Sequence, residues 1–419
     1  MSVEPPPGPP TASLTGADSA GTLLVTVTGR DRPGVTSKLF SALGSHPVDV
    51  LDVEQVVVRG RLVLGVLVTA TADEGEIRTA VQDIADELGL EVEVVRGGRD
   101  RRRAPGGAHV TVLGQPLRPV AVAAIARRIA AAGANIDRIV RLASYPVTSL
   151  ELEVSGADPA RLRVELAAEA LDQGIDLAVQ PSGLIRRAKR LVVMDVDSTL
   201  VQGEVIEMLA QRAGVLDQVA RITAAAMHGE LDFTESLRRR VRLLEGLPAS
   251  TLDEVSSEVS LTPGARTMVR TLKRLDYKFA IVSGGFTQMT DRLVEELGID
   301  YAAANTLEVG DDGRLTGELV GPVVDRAGKA AALARFAAEA GVPLSQTVAV
   351  GDGANDLDMI AVSGLGVAFN AKPHVRDAAD TAVSVPYLDA VLYLLGISRD
   401  DVEAADAADG YETPAPPVT

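Results

Sequence analysis

The sequence predicts an α/β chain in which two α+β units of ferredoxin-like order precede a doubly wound parallel sheet with a small helical cap. Three observations predict it. A strand–helix–strand–strand–helix–strand order occurs twice, offset by about 85 residues. Short apolar runs follow, alternating with helical spacing and each ending at a polar turn, as strands buried on both faces do. Between the first two of these runs lies a long stretch of helical spacing, which gives room for a cap.

In the first unit, 22–28 alternates as a strand and 34–43 has helical spacing; 48–58 and 61–69 form a hairpin, 74–88 a helix and 90–95 a strand. The second unit repeats this order at 109–113, 119–132, 135–142, 147–154, 159–171 and 175–179. The expected domains are 21–96 and 109–182, joined by a solvated Arg-rich linker at 97–108. A third domain spans 187–397, with its cap at about 202–262. The buried strands of that domain are 191–194, 279–282, 347–350 and 366–368. Residues 1–20 and 398–419, rich in Pro, Ala, Asp and Glu, read as disordered tails.

Composition narrows the function. The 419 residues include 41 Lys+Arg against 58 Asp+Glu, a net charge of −17, which argues against a nucleic-acid partner. With no cysteine, disulfides, thiolate catalysis and Cys-ligated metals are excluded, and four histidines argue against an imidazole-rich metal site. No apolar run approaches the roughly 18 residues that span a bilayer. The Pro-rich start has no secretory pattern, so a soluble cytoplasmic protein without a membrane partner is expected.

Chemistry gathers where the apolar runs end, the place where doubly wound sheets bind ligands. After 191–194 comes Asp195-Val196-Asp197-Ser198-Thr199-Leu200. Two carboxylates one residue apart at a buried strand end are costly without a cation or hydrogen-bond donors, so they mark a site. The run 279–282 leads into Ser283-Gly284-Gly285-Phe286-Thr287, whose hydroxyl and backbone N–H groups can hold phosphate oxygens. Lys329 stands at a helix start in an Arg-rich chain. The run 347–350 leads into Gly351-Asp352-Gly353-Ala354-Asn355-Asp356. Carboxylates with water and phosphate are the ligand set Mg²⁺ prefers.

In this order, Asp-x-Asp, Ser-Gly, Lys and Gly-Asp-Gly-x-Asn-Asp resemble the four motifs of the haloacid dehalogenase (HAD) superfamily over 187–395. Asp197 matches its phosphatase and mutase branches. Glu204-Val205-Ile206-Glu207, Met227, Phe233 and Arg240 further resemble the cap and substrate positions of the phosphoserine phosphatase family. That resemblance implies Mg²⁺-dependent hydrolysis of O-phospho-L-serine through an aspartyl-phosphate, the last step of L-serine biosynthesis. It makes Asp195 the nucleophile and Asp197 the general acid and then base. Ser283 and Lys329 balance the phosphate charge, and Gly284 and Asn355 bond near it. It also implies Mg²⁺ held by Asp195, Asp352 and the Asp197 carbonyl, with Asp356 orienting from behind. The chemistry fits: Arg240 can fork onto a substrate carboxylate, Glu204 can pair with its ammonium, and Met227 and Phe233 can exclude water.

The two N-terminal units, with turns running from Gly29 to Gly34 and from Gly114 to Pro119, resemble the ACT family of amino-acid-binding regulatory domains. At Gly34 a helix begins after a strand, and its N–H groups can accept a carboxylate. A tight turn with Asp31 as helix cap accounts for the same residues. The resemblance implies an effector, L-serine as feedback inhibitor, near Asp31, Gly34 and Asp49, and a homodimer or higher homo-oligomer. Pro119 in the place of Gly34 separates the two copies. Two other functions stay open: phosphoryl transfer to another alcohol such as homoserine, and an amino-acid sensor with a vestigial phosphatase half.

Overall fold

The computed structural model describes residues 21–70, 74–97, 107–183, 186–227 and 231–414. The chain divides into two compact units, 1–102 and 103–419. The expected tail at 1–20 and most of the expected linker lie outside the described residues.

The first unit contains β1 (Thr22–Arg30), α1 (Val35–Leu43), β2 (Val50–Val58), β3 (Arg61–Thr69), α2 (Glu74–Leu88) and β4 (Glu91–Gly97). Its antiparallel sheet has the order β2-β3-β1-β4. Alternate residues Leu23, Val25 and Val27 of β1 and Leu62, Leu64, Val66 and Val68 of β3 are buried with Leu39, Ile77 and Val81 of the two helices, the period-2 pattern of a half-covered sheet. Asp31 does not cap α1. The N-cap is Gly34 at φ 96 with no side-chain bond, and the Asp31 N–H donates to the Gly60 carbonyl.

The second unit opens with β5 (Gly107–Gly114), α3 (Pro119–Ala131), β6 (Asn135–Ala143), β7 (Thr148–Ser155), α4 (Pro159–Gln173) and β8 (Asp176–Pro181). Pro119 is the first helical residue of α3 after an extended Arg118, a position where a fixed φ and a missing N–H cost nothing. Next come β9 (Leu191–Met194) and four helices: α5 (Val205–Arg212), α6 (Leu216–Met227), α7 (Phe233–Arg242) and α8 (Ser250–Glu258). They are followed by α9 (Ala265–Arg274), β10 (Lys278–Phe286), α10 (Thr287–Leu297), β11 (Tyr301–Val309), β12 (Leu315–Val320) and α11 (Arg326–Glu339). The chain closes with β13 (Thr347–Gly351), α12 (Leu357–Val362), β14 (Gly366–Phe369), α13 (Pro373–Ala378), β15 (Thr381–Val383), α14 (Val391–Leu394) and α15 (Arg399–Ala408). Among the described residues no helix is long and apolar enough to cross a membrane.

All eleven strands of this unit form one sheet, β12-β11-β10-β9-β13-β14-β15-β8-β5-β7-β6. The order departs from β9 in both directions, with β10 on one side and β13 on the other, each parallel to it. This switch point opens the crevice in which such sheets bind ligands.

The second α+β unit keeps a core of its own, with Val110, Ile125 and Leu166, and in addition continues the parallel sheet and reaches into its core. β8 meets β15 at Ala178 and Thr381, Gln180 Nε2 donates to the Leu394 carbonyl at 2.7 Å, and the Ser384 N–H donates to Asp176 at 2.6 Å. Leu113, Leu142 and Val147 lie in the same core as Val192 and Met194. One expectation needs correction: of the stretch 398–419 read as disordered, residues 399–408 fold as α15 and residues 409–414 run on along it. Asp406, fully buried, takes Arg270 and Arg274 of α9, and the Arg270 guanidinium lies 4.5 Å from the Tyr411 ring. Specific partners repay an ordering cost that composition alone leaves unbalanced.

Candidate active site

Each strand at the switch point delivers one cluster. Asp195 follows β9 and is 3 % exposed. Its Oδ1 accepts the Val196 N–H at 2.8 Å and Lys329 Nζ at 2.6 Å. A tight turn with Ser198 at φ 57 then brings Asp197 round. Asp197 Oδ1 accepts the Val205 N–H at 3.0 Å, and its Oδ2 accepts the Ser283 hydroxyl at 3.1 Å from the end of β10. Asp325 caps α11 by accepting the Gly328 N–H at 2.8 Å, which sets Lys329 in the first turns of that helix. Lys329 is fully buried and also reaches Asp356 Oδ1 at 2.7 Å. Asp356 Oδ2 accepts the Gly353 N–H at 3.0 Å. A Cβ at Gly351 would lie 2.4 Å from the Asp356 carboxyl carbon, so glycine is what admits this acid.

A cavity of about 590 Å³ lies over these strand ends, under α6 and α7. Of the residues singled out in the sequence, Asp195, Asp197, Glu204, Phe233, Arg240, Gly284, Asp352 and Asn355 line it. Ser283, Lys329 and Asp356 are buried behind that wall. Met227 ends α6, and its side chain lies outside the described residues. Asp31, Gly34 and Asp49 belong to the other unit. There the pairing of Val50 with Val68 sets Asp49 at the Leu23 end of β1, whereas Asp31 follows Arg30 at the other end. At about 3.3 Å per residue the two acids are about 30 Å apart within one domain, so one domain cannot use both on a single small ligand.

Four side chains escaped the sequence reading. Thr199 Oγ1 donates to Asp352 Oδ1 at 3.2 Å, and Ser198 Oγ donates to Glu204 Oε1 at 3.0 Å. Both stand in the string that begins at Asp195, so a signal existed. Asn305 on β11 bonds to the Gly284 carbonyl and carried none. His374, at the start of α13, lines the cavity.

The site is short of positive charge. Burial pushes the Asp195 carboxyl well above its ordinary range, with Asp356 adding to the shift and Lys329 opposing it. Burial also raises Asp197 against its bonds to the Val205 N–H and Ser283. Asp352 is pushed up to about 6 by burial and by Asp356. Glu204 reaches about 7 through burial and the nearby Asp197. Burial works against the Lys329 ammonium, yet Asp195 and Asp356 hold it above its usual value. Oxygens of Asp195, Asp352 and Asp356 lie within 4.8 Å of one another. Three acids around one lysine form a hard-oxygen cluster that a divalent cation fits.

A doubly wound sheet whose strand ends carry an aspartate pair, a serine, a lysine and a second acidic loop, beneath a helical cap, defines a haloacid dehalogenase-like hydrolase. Residues 192–361 match that family, and residues 21–95 and 107–180 each match the ACT domain. The chain is 62 % identical over 388 residues to the phosphoserine phosphatase of Streptomyces coelicolor, covering 92 % of this chain and 94 % of that protein. It is 53 % identical over 393 residues to phosphoserine phosphatase SerB2 of Mycobacterium tuberculosis, covering 92 % and 96 %. The unliganded crystal structure of a probable phosphoserine phosphatase from Vibrio cholerae superposes with a TM-score of 0.55 at 36 % identity, covering 72 % of this chain and 88 % of that one. The chain belongs to the phosphoserine phosphatase family.

Proposed function

We propose that this chain hydrolyses O-phospho-L-serine to L-serine and phosphate with Mg²⁺ as its cation, closing L-serine synthesis in the cytoplasm. The observation that carries the substrate assignment is that Glu204 and Arg240 line the same cavity as Asp195 and Asp197. An acid and a guanidinium on the cap side match the ammonium and carboxylate of an amino acid, while the phosphate is directed to the strand ends.

Both contacts to Asp195 fall on Oδ1, so Oδ2 is the oxygen turned to attack phosphorus in line. The P–O bond to serine breaks as the Asp195–phosphorus bond forms. Asp197, raised by burial and so able to carry a proton, gives it to the departing serine oxygen. Asp197 then takes a proton from the water that attacks the aspartyl-phosphate, which restores both acids. Lys329, the Ser283-Gly284 loop and Asn355 of the loop after β13 balance the phosphoryl oxygens. Asp195, Asp352 and the Asp197 carbonyl would hold Mg²⁺, with Asp356 positioned from behind by Lys329 and the Gly353 N–H. Bound there, the ion lowers the repulsion between carboxylate and phosphate.

L-Serine as a feedback effector is supported by the first unit, where Gly34, the N-cap of α1, makes no side-chain cap bond and a Cβ there would meet no atom within 4 Å. The same unit supports self-association: β2 is an edge strand whose Val50, Leu51, Val53, Val56, Val57 and Val58 are all exposed. The deciding assay is Mg²⁺-dependent phosphate release from a panel of phosphorylated amino acids and sugars. O-Phospho-L-serine is expected to lead by at least about tenfold in kcat/KM, and a sugar phosphate in first place would overturn the assignment.

A further inference from the structure

We propose that Asn305 is a positioning residue that orients Asp197 through one peptide plane and the Ser283 hydroxyl; this rests on the reading above of Asp197 as proton carrier. The parallel pairing of β10 with β11 matches Val282 to Ala303 and then Phe286 to Asn305, so four steps along β10 answer two along β11. Ser283, Gly284 and Gly285 therefore bulge from the ladder, with Gly284 and Gly285 on the cavity wall, and a bulge leaves backbone groups that the ladder no longer serves. Asn305, 2 % exposed, serves one of them. Its Nδ2 donates to the Gly284 carbonyl at 2.8 Å, and its Oδ1 accepts the Val324 N–H at 2.7 Å. A backbone acceptor on one side and a backbone donor on the other fix which way the amide faces.

The Gly284 carbonyl and the Gly285 N–H belong to one rigid peptide group. Pinning the oxygen thus aims the N–H, which donates to Ser283 Oγ at 2.8 Å. Ser283, accepting there, gives its own hydrogen to Asp197 Oδ2 at 3.1 Å. Side-chain packing cannot hold this peptide from the cavity side, because a Cβ on Gly285 would lie 2.9 Å from both Asp197 Oδ2 and Ser283 Oγ. The amide holds it from behind. Its other bond reaches Val324, next to the Asp325 cap of α11, so the same side chain ties the serine loop to the helix that carries Lys329.

Asn305→Asp is the discriminating variant: it keeps an acceptor for the Val324 N–H and sets an oxygen against the Gly284 carbonyl. In the full chain with Mg²⁺ and O-phospho-L-serine, kcat should fall about 10- to 100-fold while KM stays within about threefold, because Glu204 and Arg240 are untouched. Asn305→Ser, too short to reach Gly284 and with no volume to force into the core, should lose kcat to the same extent. If the effect runs through Ser283, adding Asn305→Asp to Ser283→Ala should cost less than about threefold more. Losses that multiply, or single variants that melt lower with kcat unchanged, would overturn the proposal. A parent chain inert on O-phospho-L-serine counts against the substrate assignment alone, and the same cycle is then read on p-nitrophenyl phosphate.

Discussion

Lys329 governs the electrostatics of the site. It is the cation that meets both Asp195 and Asp356, and all three are buried. Asp195→Asn removes the attacking oxygen and should lower turnover by more than about 10³-fold, with no burst of labelled protein in rapid-quench experiments. A residual rate within tenfold of the parent would rule out the covalent route. Glu204 offers a pH test. An acid held up to about 7 is neutral below that pH and charged above it, so its pull on a substrate ammonium is lost on acidification. KM for O-phospho-L-serine should rise about tenfold from pH 8 to pH 6, and Glu204→Gln should flatten the curve at its high-KM end. A parent enzyme with a level KM across that range would refute this role. Asp195 was legible in sequence because a carboxylate at the end of a buried strand is costly unless it serves a site, and Glu204 through the resemblance of its string to the phosphoserine phosphatase family. Asn305 was not legible, since an asparagine in an alanine-rich stretch gains its meaning from a bulge in the neighbouring strand.

Among the elements, α15 shows how partners override composition. Burial pushes the Asp406 carboxyl up, but bonds from Arg270, Arg274 and Thr413 together hold it below the usual carboxylate range. The stability it contributes is present above its unfolded value near pH 4 and lost as the pH falls below that. Asp406→Asn should destabilise the chain by about 3 kcal/mol at neutral pH, read by urea unfolding, and speed hydrogen exchange in α15. Unchanged exchange would show that the helix is held by its apolar side alone. β11 and β15 were likewise absent from the sequence reading. β11 is mostly alanine, polar or half-buried residues without clean alternation, and β15 has three residues, too few for a period to register.

At the scale of the molecule, the sheet shared by the second ACT unit and the catalytic domain is the feature with consequences. Removing residues 1–102 takes away one compact unit with its own core and should leave soluble protein with kcat within about threefold of the parent. Removing residues 1–185 strips β8 from β15 and uncovers core that packs on Leu113, Leu142 and Val147. That fragment should aggregate or melt at least about 10 °C lower, as judged by light scattering and calorimetry. A stable, active fragment 186–419 would mean that the weld adds little.

Sequence by itself determined the repeated βαββαβ order, the parallel sheet and the acidic clusters at its strand ends, because each is written in local periodicity or in the cost of placing charge beside a buried strand. Tertiary structure decided the pairing of β8 with β15, the seating of α15 on α9 and the amide of Asn305 behind the serine loop. Each joins residues far apart along the chain, and a hydrogen bond between distant segments leaves no periodic mark on either one.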